Sequence, residues 1–126
     1  MQGPEPRTVV VVEDDASMSQ AMERILRLAG FAPSTFATAE DVVASHAAED
    51  AVCLIIDVQL PGQNGFALRD RLAAAGALPH VIFISAFDEP EARVQAAGVG
   101  ADFLTKPFSG RMLLETIRKS ATARTR

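Results

Sequence analysis

Residues 52–65 read VCLIIDVQLPGQNG, an apolar run that stops on Asp57 and passes into a loop dense in turn residues. A continuous apolar run, rather than an alternating one, marks a strand covered on both faces. Pro61, Gly62 and Asn64 then break the chain, and Gly65 stands before a helical pattern from Phe66 to Ala75 that Gly76 ends. Strand, acidic end, loop, helix is one unit of a parallel α/β sheet.

The same unit recurs in both directions. Upstream, Thr8–Val12 is rich in β-branched residues and leads into Glu13, Asp14 and Asp15. Met18, Ala21, Met22, Ile25, Leu26 and Ala29 then recur at a helical period, with Gly30 as the stop and Glu23 one turn from Arg27. Phe31–Phe36 is a strand weakened by Pro33, and Thr38-Ala-Glu-Asp41 resembles a capping box opening a helix through Ala47. Downstream, Val81–Ala86 is a strand interrupted only by Ser85. Pro90 opens a short, poorly patterned helix that ends by Gly98. Asp102–Thr105 is the last strand. From Ser109 a final helix turns Leu113, Leu114 and Ile117 inward, with Glu115 and Lys119 set to pair outside. Five such units predict a doubly wound five-stranded parallel sheet with helices on both faces.

The bulk numbers agree with one domain. The chain has 126 residues, 48% of them hydrophobic, enough for a single core. We read 1–7 as a disordered N-terminal segment, 8–120 as the folded domain and 121–126 as a flexible tail. A net charge of −4 argues against a nucleic-acid surface, and the cations of Arg118–Arg126 are too scattered to make one. Cys53, the one cysteine, lies in an apolar run and reads as a small core residue. No secretory signal or membrane-length apolar run is visible, so the expected location is cytoplasmic. His46 and His80 have no ligand set nearby and read as surface residues.

Ligands of open parallel sheets bind beyond the carboxyl ends of the strands, where the strand order reverses. Here those ends carry Glu13 and Asp14, Asp57, Ser85 and Lys106. In the order 2-1-3-4-5 the reversal falls between the first and third strands, where three carboxylates converge. Crowded carboxylates repel unless a cation sits among them. An all-oxygen set without His or Cys favours Mg²⁺, with Mn²⁺ as a substitute. A carboxylate nucleophile, a metal and a lysine suffice for phosphoryl transfer. Each part has a bland reading: acids suit a helix N-terminus, and an aspartate often ends a strand in a turn. Their recurrence at successive strand ends favours a site.

Four segments, VVVVEDD (9–15), LIIDVQLPG (54–62), VIFISA (81–86) and GADFLTKPF (100–108), resemble the bacterial response-regulator receiver family of two-component systems. The likeness covers roughly residues 7–120 and is nearest in look to receivers of the nitrogen-fixation and nitrate-response transcription regulators. It implies the flavodoxin-like fold and a phosphoacceptor role for Asp57, loaded by a sensor histidine kinase or phosphotransfer protein. It also implies direct ligation of Mg²⁺ by Asp14 and Asp57, with Glu13 acting largely through water and the Gln59 backbone carbonyl completing the shell. Lys106 and Ser85 would bind the phosphoryl group, and Ser85 and Phe103 would form the switch. Glu13 stands where the family often has Asp, Ser85 where Thr is common, and Phe103 where Tyr is common.

The switching face expected is the fourth helix, fifth strand and fifth helix. It would address a downstream protein or a separate output domain, and a phosphorylation-dependent homodimer is among its expected partners. Gln59 and Phe87, each two positions past a site residue, are expected to tune dephosphorylation. No catalysis is expected beyond the domain's own phosphorylation and its slow reversal. No helix-turn-helix is present, so the sequence reads as a stand-alone regulator or a piece of a longer transcription factor. The rival is a Mg²⁺-dependent phosphatase of the haloacid-dehalogenase kind, which needs a carboxylate where Gln59 stands.

Overall fold

The computed structural model describes residues 7–76 and 78–124. Five strands, β1 (Thr8–Val12), β2 (Ala32–Phe36), β3 (Cys53–Asp57), β4 (His80–Ser85) and β5 (Asp102–Thr105), form one parallel sheet in the order β2-β1-β3-β4-β5. The helices are α1 (Ala16–Leu28), α2 (Ala39–Ser45), α3 (Gly65–Ala74), α4 (Pro90–Gly98) and α5 (Gly110–Arg124), with a 3₁₀ turn at Ala47–Asp50. The doubly wound, flavodoxin-like architecture expected from the sequence is the one observed.

The apolar strands divide their side chains between two cores, because successive residues point to opposite faces. Val9, Val11, Cys53, Ile55, Ile82 and Ile84 face α1 and α5, where Met22, Leu26, Leu113 and Ile117 meet them. Val10, Val12, Leu54, Ile56, Val81 and Phe83 face α2, α3 and α4, against Val42, Leu68, Leu72 and Ala96. Phe66 closes on Phe83 with ring centroids 4.3 Å apart. Pro33 is tolerated because β2 is an edge strand that pairs only with β1.

Helix starts follow the capping rules. Asp15 accepts from the Met18 amide at 3.1 Å, Thr38 from Asp41 at 3.1 Å, and Asn64 from Ala67 at 2.8 Å. By contrast, α4 has no side-chain cap and buries only Ala96.

Several expectations change. The second helix stops at Ser45 rather than Ala47, because His46 takes a left-handed conformation with φ 60°. Helix α5 runs to Arg124, so 121–124 of the expected tail are helical, while 125 and 126 lie outside the described residues. Of the expected segment 1–7, all but Arg7 lies outside them too. Glu23 and Arg27 pair at 3.0 Å, but no ion pair between Glu115 and Lys119 occurs among the described residues. His80 is not a free surface residue: its Nε2 lies 2.8 Å from Asp102 Oδ2, which also accepts from Ser120 Oγ at 3.3 Å. This joins β4, β5 and α5 at the end of the sheet away from the carboxylates.

Gly65 holds the loop after β3 against the sheet. A Cβ there would come within 2.5 Å of the Asp57 carbonyl oxygen and 2.8 Å of Ile56 Cγ2. The Gly65 amide donates to the Val58 carbonyl at 2.8 Å, so the backbone cannot retreat without losing that bond. We expect Gly65→Ala to cost about 1–3 kcal/mol, the usual range for overpacking, read as a lowered urea midpoint. An unchanged midpoint would show that the loop relaxes freely.

Candidate functional site

The site lies where the sheet order reverses. Strand β1 delivers Glu13 and β3 delivers Asp57, and their register pairs Val12 with Ile56 one residue earlier. Hydrogen bonds beyond the strand ends hold the loops in place. Glu13 N donates to Phe36 O at 3.0 Å, Val58 N to Ile84 O at 2.8 Å, and Lys106 N to Ser85 O at 2.7 Å. The last of these anchors Lys106 next to the end of β4, and the peptide from Lys106 to Pro107 is cis.

Three of the four buried polar side chains among the described residues sit here: Glu13, Asp57 and Ser85, all at most 3% exposed. Lys106 Nζ donates to Glu13 Oε1 at 2.7 Å and to Asp57 Oδ2 at 2.8 Å. Asp57 Oδ1 accepts from the Gln59 amide at 2.8 Å, and Glu13 Oε2 from the Asp15 amide at 3.2 Å. Asp14 is exposed at the rim. Carboxylate oxygens of Glu13, Asp14 and Asp57 lie within 4.8 Å of one another. Three carboxylates gathered this closely would hold a divalent cation among them, directly or through bridging water. An oxygen-only donor set open on one side suits that cation.

Electrostatics point the same way. The Glu13 carboxyl is pushed up to about 7, first by burial and then by its hydrogen bond with Asp57; Lys106 and the Asp15 amide oppose the rise. Burial pulls Lys106 down, but the Asp57 and Glu13 carboxylates outweigh it and raise it. One ammonium is bonded to two of the three carboxylates, and a divalent cation would complete the neutralisation.

The remaining expected residues surround this centre. Ser85 Oγ accepts from the Phe87 amide at 3.0 Å and donates to Gln59 Oε1 at 3.2 Å. Phe87 is 56% exposed at the mouth. Phe103 is half-buried against the α2–α4 core rather than free, with the Arg93 guanidinium 4.9 Å above its ring. Arg93 also donates to Thr105 Oγ1 at 2.8 Å and pairs with Asp88. Sequence reasoning missed the Arg93 clamp and the Gln59 side-chain contact, since neither pairing has a spacing signature. Asp15, counted in the acidic cluster, is spent on capping α1.

The chain resembles known proteins in both sequence and fold. The sequence model of the response regulator receiver domain matches residues 9–118. The C4-dicarboxylate transport transcriptional regulatory protein DctD of Rhizobium meliloti is 38% identical over 93% of this chain and 26% of its own length. The transcriptional regulatory protein FixJ of Azorhizobium caulinodans is 30% identical over 93% of this chain and 56% of its own. A response regulator receiver protein from Burkholderia phymatum superposes with a TM-score of 0.77 at 38% identity, covering 92% of this chain and 95% of that one. The chain thus spans about a quarter to about half of these curated relatives. No described helix is long and apolar enough to cross a membrane.

The raised Glu13 value carries a pH signature. In chelator, folded Glu13 holds its proton up to about 7, whereas the unfolded side chain releases it near 4.5. The folded state therefore binds the extra proton between those values, and Glu13 lowers stability as pH rises through that window. Urea midpoints of wild type should fall relative to Glu13→Gln from pH 5 to pH 7. Parallel midpoints would remove the buried, proton-holding carboxyl.

Proposed function

We propose that this chain, which belongs to the response regulator receiver domain family of two-component systems, accepts a phosphoryl group on Asp57 and signals through its α4–β5–α5 face. The observation that carries the reading is the Lys106 ammonium bound to both Glu13 and Asp57 at the mouth of a three-carboxylate cluster. The donor is a phosphohistidine on a sensor kinase or phosphotransfer protein.

Asp14, Asp57, Glu13 (largely through water) and the Gln59 carbonyl would hold Mg²⁺, or Mn²⁺ in its place. Bound there, the ion supplies charge neutralisation for the phosphoryl oxygens. An Asp57 oxygen attacks phosphorus in line. The new O–P bond forms as the donor's P–N bond breaks, and the imidazole nitrogen leaves with that electron pair. Lys106 exchanges its contact with Asp57 Oδ2 for a phosphoryl oxygen, keeping positive charge where negative charge gathers. Ser85, one strand away, donates its hydroxyl to another phosphoryl oxygen. Phe103 follows into the space it leaves.

The sparsely buried α4 supports this choice of moving element, because switching elements are drawn from the less stable parts of a fold. A downstream protein or separate output domain that prefers the rearranged face, or a second phosphorylated copy, would read the signal by population shift. The domain's chemistry is confined to its own loading and slow unloading. The haloacid-dehalogenase alternative gains no support: Gln59 occupies the position its second carboxylate needs, and the relatives are transcriptional regulators.

With acetyl phosphate and Mg²⁺, intact mass should rise by one phosphoryl group in wild type and stay unchanged in Asp57→Asn or in excess chelator. Label retained by Asp57→Asn would refute the assignment. Phe87, apolar and at the mouth, shields the acyl phosphate from water. Replacing it by glutamate should shorten the phosphorylated half-life several-fold, and an equal half-life would show that position 87 does not control water access.

A further inference from the structure

Ser85 has one hydroxyl proton, and in this structure it is committed to Gln59. The oxygen accepts from the Phe87 amide at 3.0 Å, which fixes its orientation. The proton points to Gln59 Oε1 at 3.2 Å. A phosphoryl oxygen on Asp57 is an acceptor and would need that same proton, the only one the hydroxyl can donate. The two acceptors are therefore exclusive.

The geometry points to Gln59 as a positioning residue that holds the switch hydroxyl in its resting orientation. The inference rests on the phosphoacceptor reading above and adds a residue to its switch. Gln59 is well placed for the role. Its backbone amide donates to Asp57 Oδ1 at 2.8 Å, so the side chain is anchored at the nucleophile itself. Its carboxamide then spans from β3 to the end of β4, where Ser85 is 1% exposed and cannot turn to water instead. Loading Asp57 breaks the bond to Gln59 and forms the bond to phosphoryl. The side chain at position 59 thereby sets how readily the switch engages.

At 3.2 Å the bond is longer than the usual range for a hydroxyl donor and therefore weak. Its net worth falls in the lower part of the usual hydrogen-bond range, which corresponds to about a two- to fivefold effect on an equilibrium. The experiment is a titration with beryllofluoride, a phosphoryl mimic, at fixed Mg²⁺, followed by backbone amide resonances. Gln59→Met keeps the length of the side chain and removes the strong acceptor. It should tighten apparent beryllofluoride binding about two- to fivefold in the Ser85 background and leave it unchanged in Ser85→Ala. The gain must vanish with the hydroxyl, because contacts that act only through each other fail to add. In the protein without beryllofluoride, Ser85→Ala should also shift the Gln59 side-chain amide resonances.

Equal affinity of wild type and Gln59→Met would overturn the proposal, as would an equal gain in both backgrounds. In either case wild type still binds, and the phosphoacceptor reading stands. A wild type that takes up no beryllofluoride with Mg²⁺ would bring down that reading and this one together.

Discussion

The Lys106 ammonium, shared between Glu13 at 2.7 Å and Asp57 at 2.8 Å, is the contact on which the site depends. Two carboxylates buried side by side would otherwise repel strongly enough to protonate or to splay the strand ends. Their lysine comes from the far end of the chain, so it can reach them only after β5 has joined the sheet. The centre is therefore assembled by completion of the fold rather than by any local segment. Glu13 remains raised even with its lysine, because burial costs more than one partner returns. That residual frustration is what makes the cluster receptive to a divalent ion.

The sheet supplies the rigidity that such a cluster needs. Side chains of β3, and of β1 from Val9 onward, are buried on both faces, and both cores pack against them. Backbone bonds continue past the strand ends at Glu13, Val58 and Lys106, so the loops inherit the precision of the strands. Gly65 adds close contact behind Asp57, leaving its backbone little room to drift.

Away from this centre the packing loosens in one direction. Helix α4 buries one residue and lacks a side-chain cap, while Val94 on its outer surface is 72% exposed. Arg93 compensates by tying α4 to Asp88, to Thr105 and to the face of Phe103. Each tie is half-exposed and individually weak. A region held this way can change arrangement at low cost, and it adjoins Phe103. The domain is thus firm at the carboxylates and looser at α4.

The strand–loop–helix rhythm, the capping residues and the polar residues at strand ends were all legible in the sequence, because each reflects a local backbone requirement. So were the individual members of the site: Glu13, Asp14, Asp57, Ser85 and Lys106 each follow an apolar run. Distances and roles beyond that were not legible. His80 looked like a surface residue until β5 brought Asp102 beside it, and only the placement of α4 set Arg93 over Phe103. Asp15, next in sequence to two site residues, is the N-cap of α1 instead. The Ser85 proton had no visible destination until β3 and β4 set Gln59 next to it. Sequence alone decides periodicity and termination, which act between near neighbours in the chain. Pairings across strands depend on register and helix placement, and only the tertiary structure settles those, because the partners lie tens of residues apart and meet nowhere else.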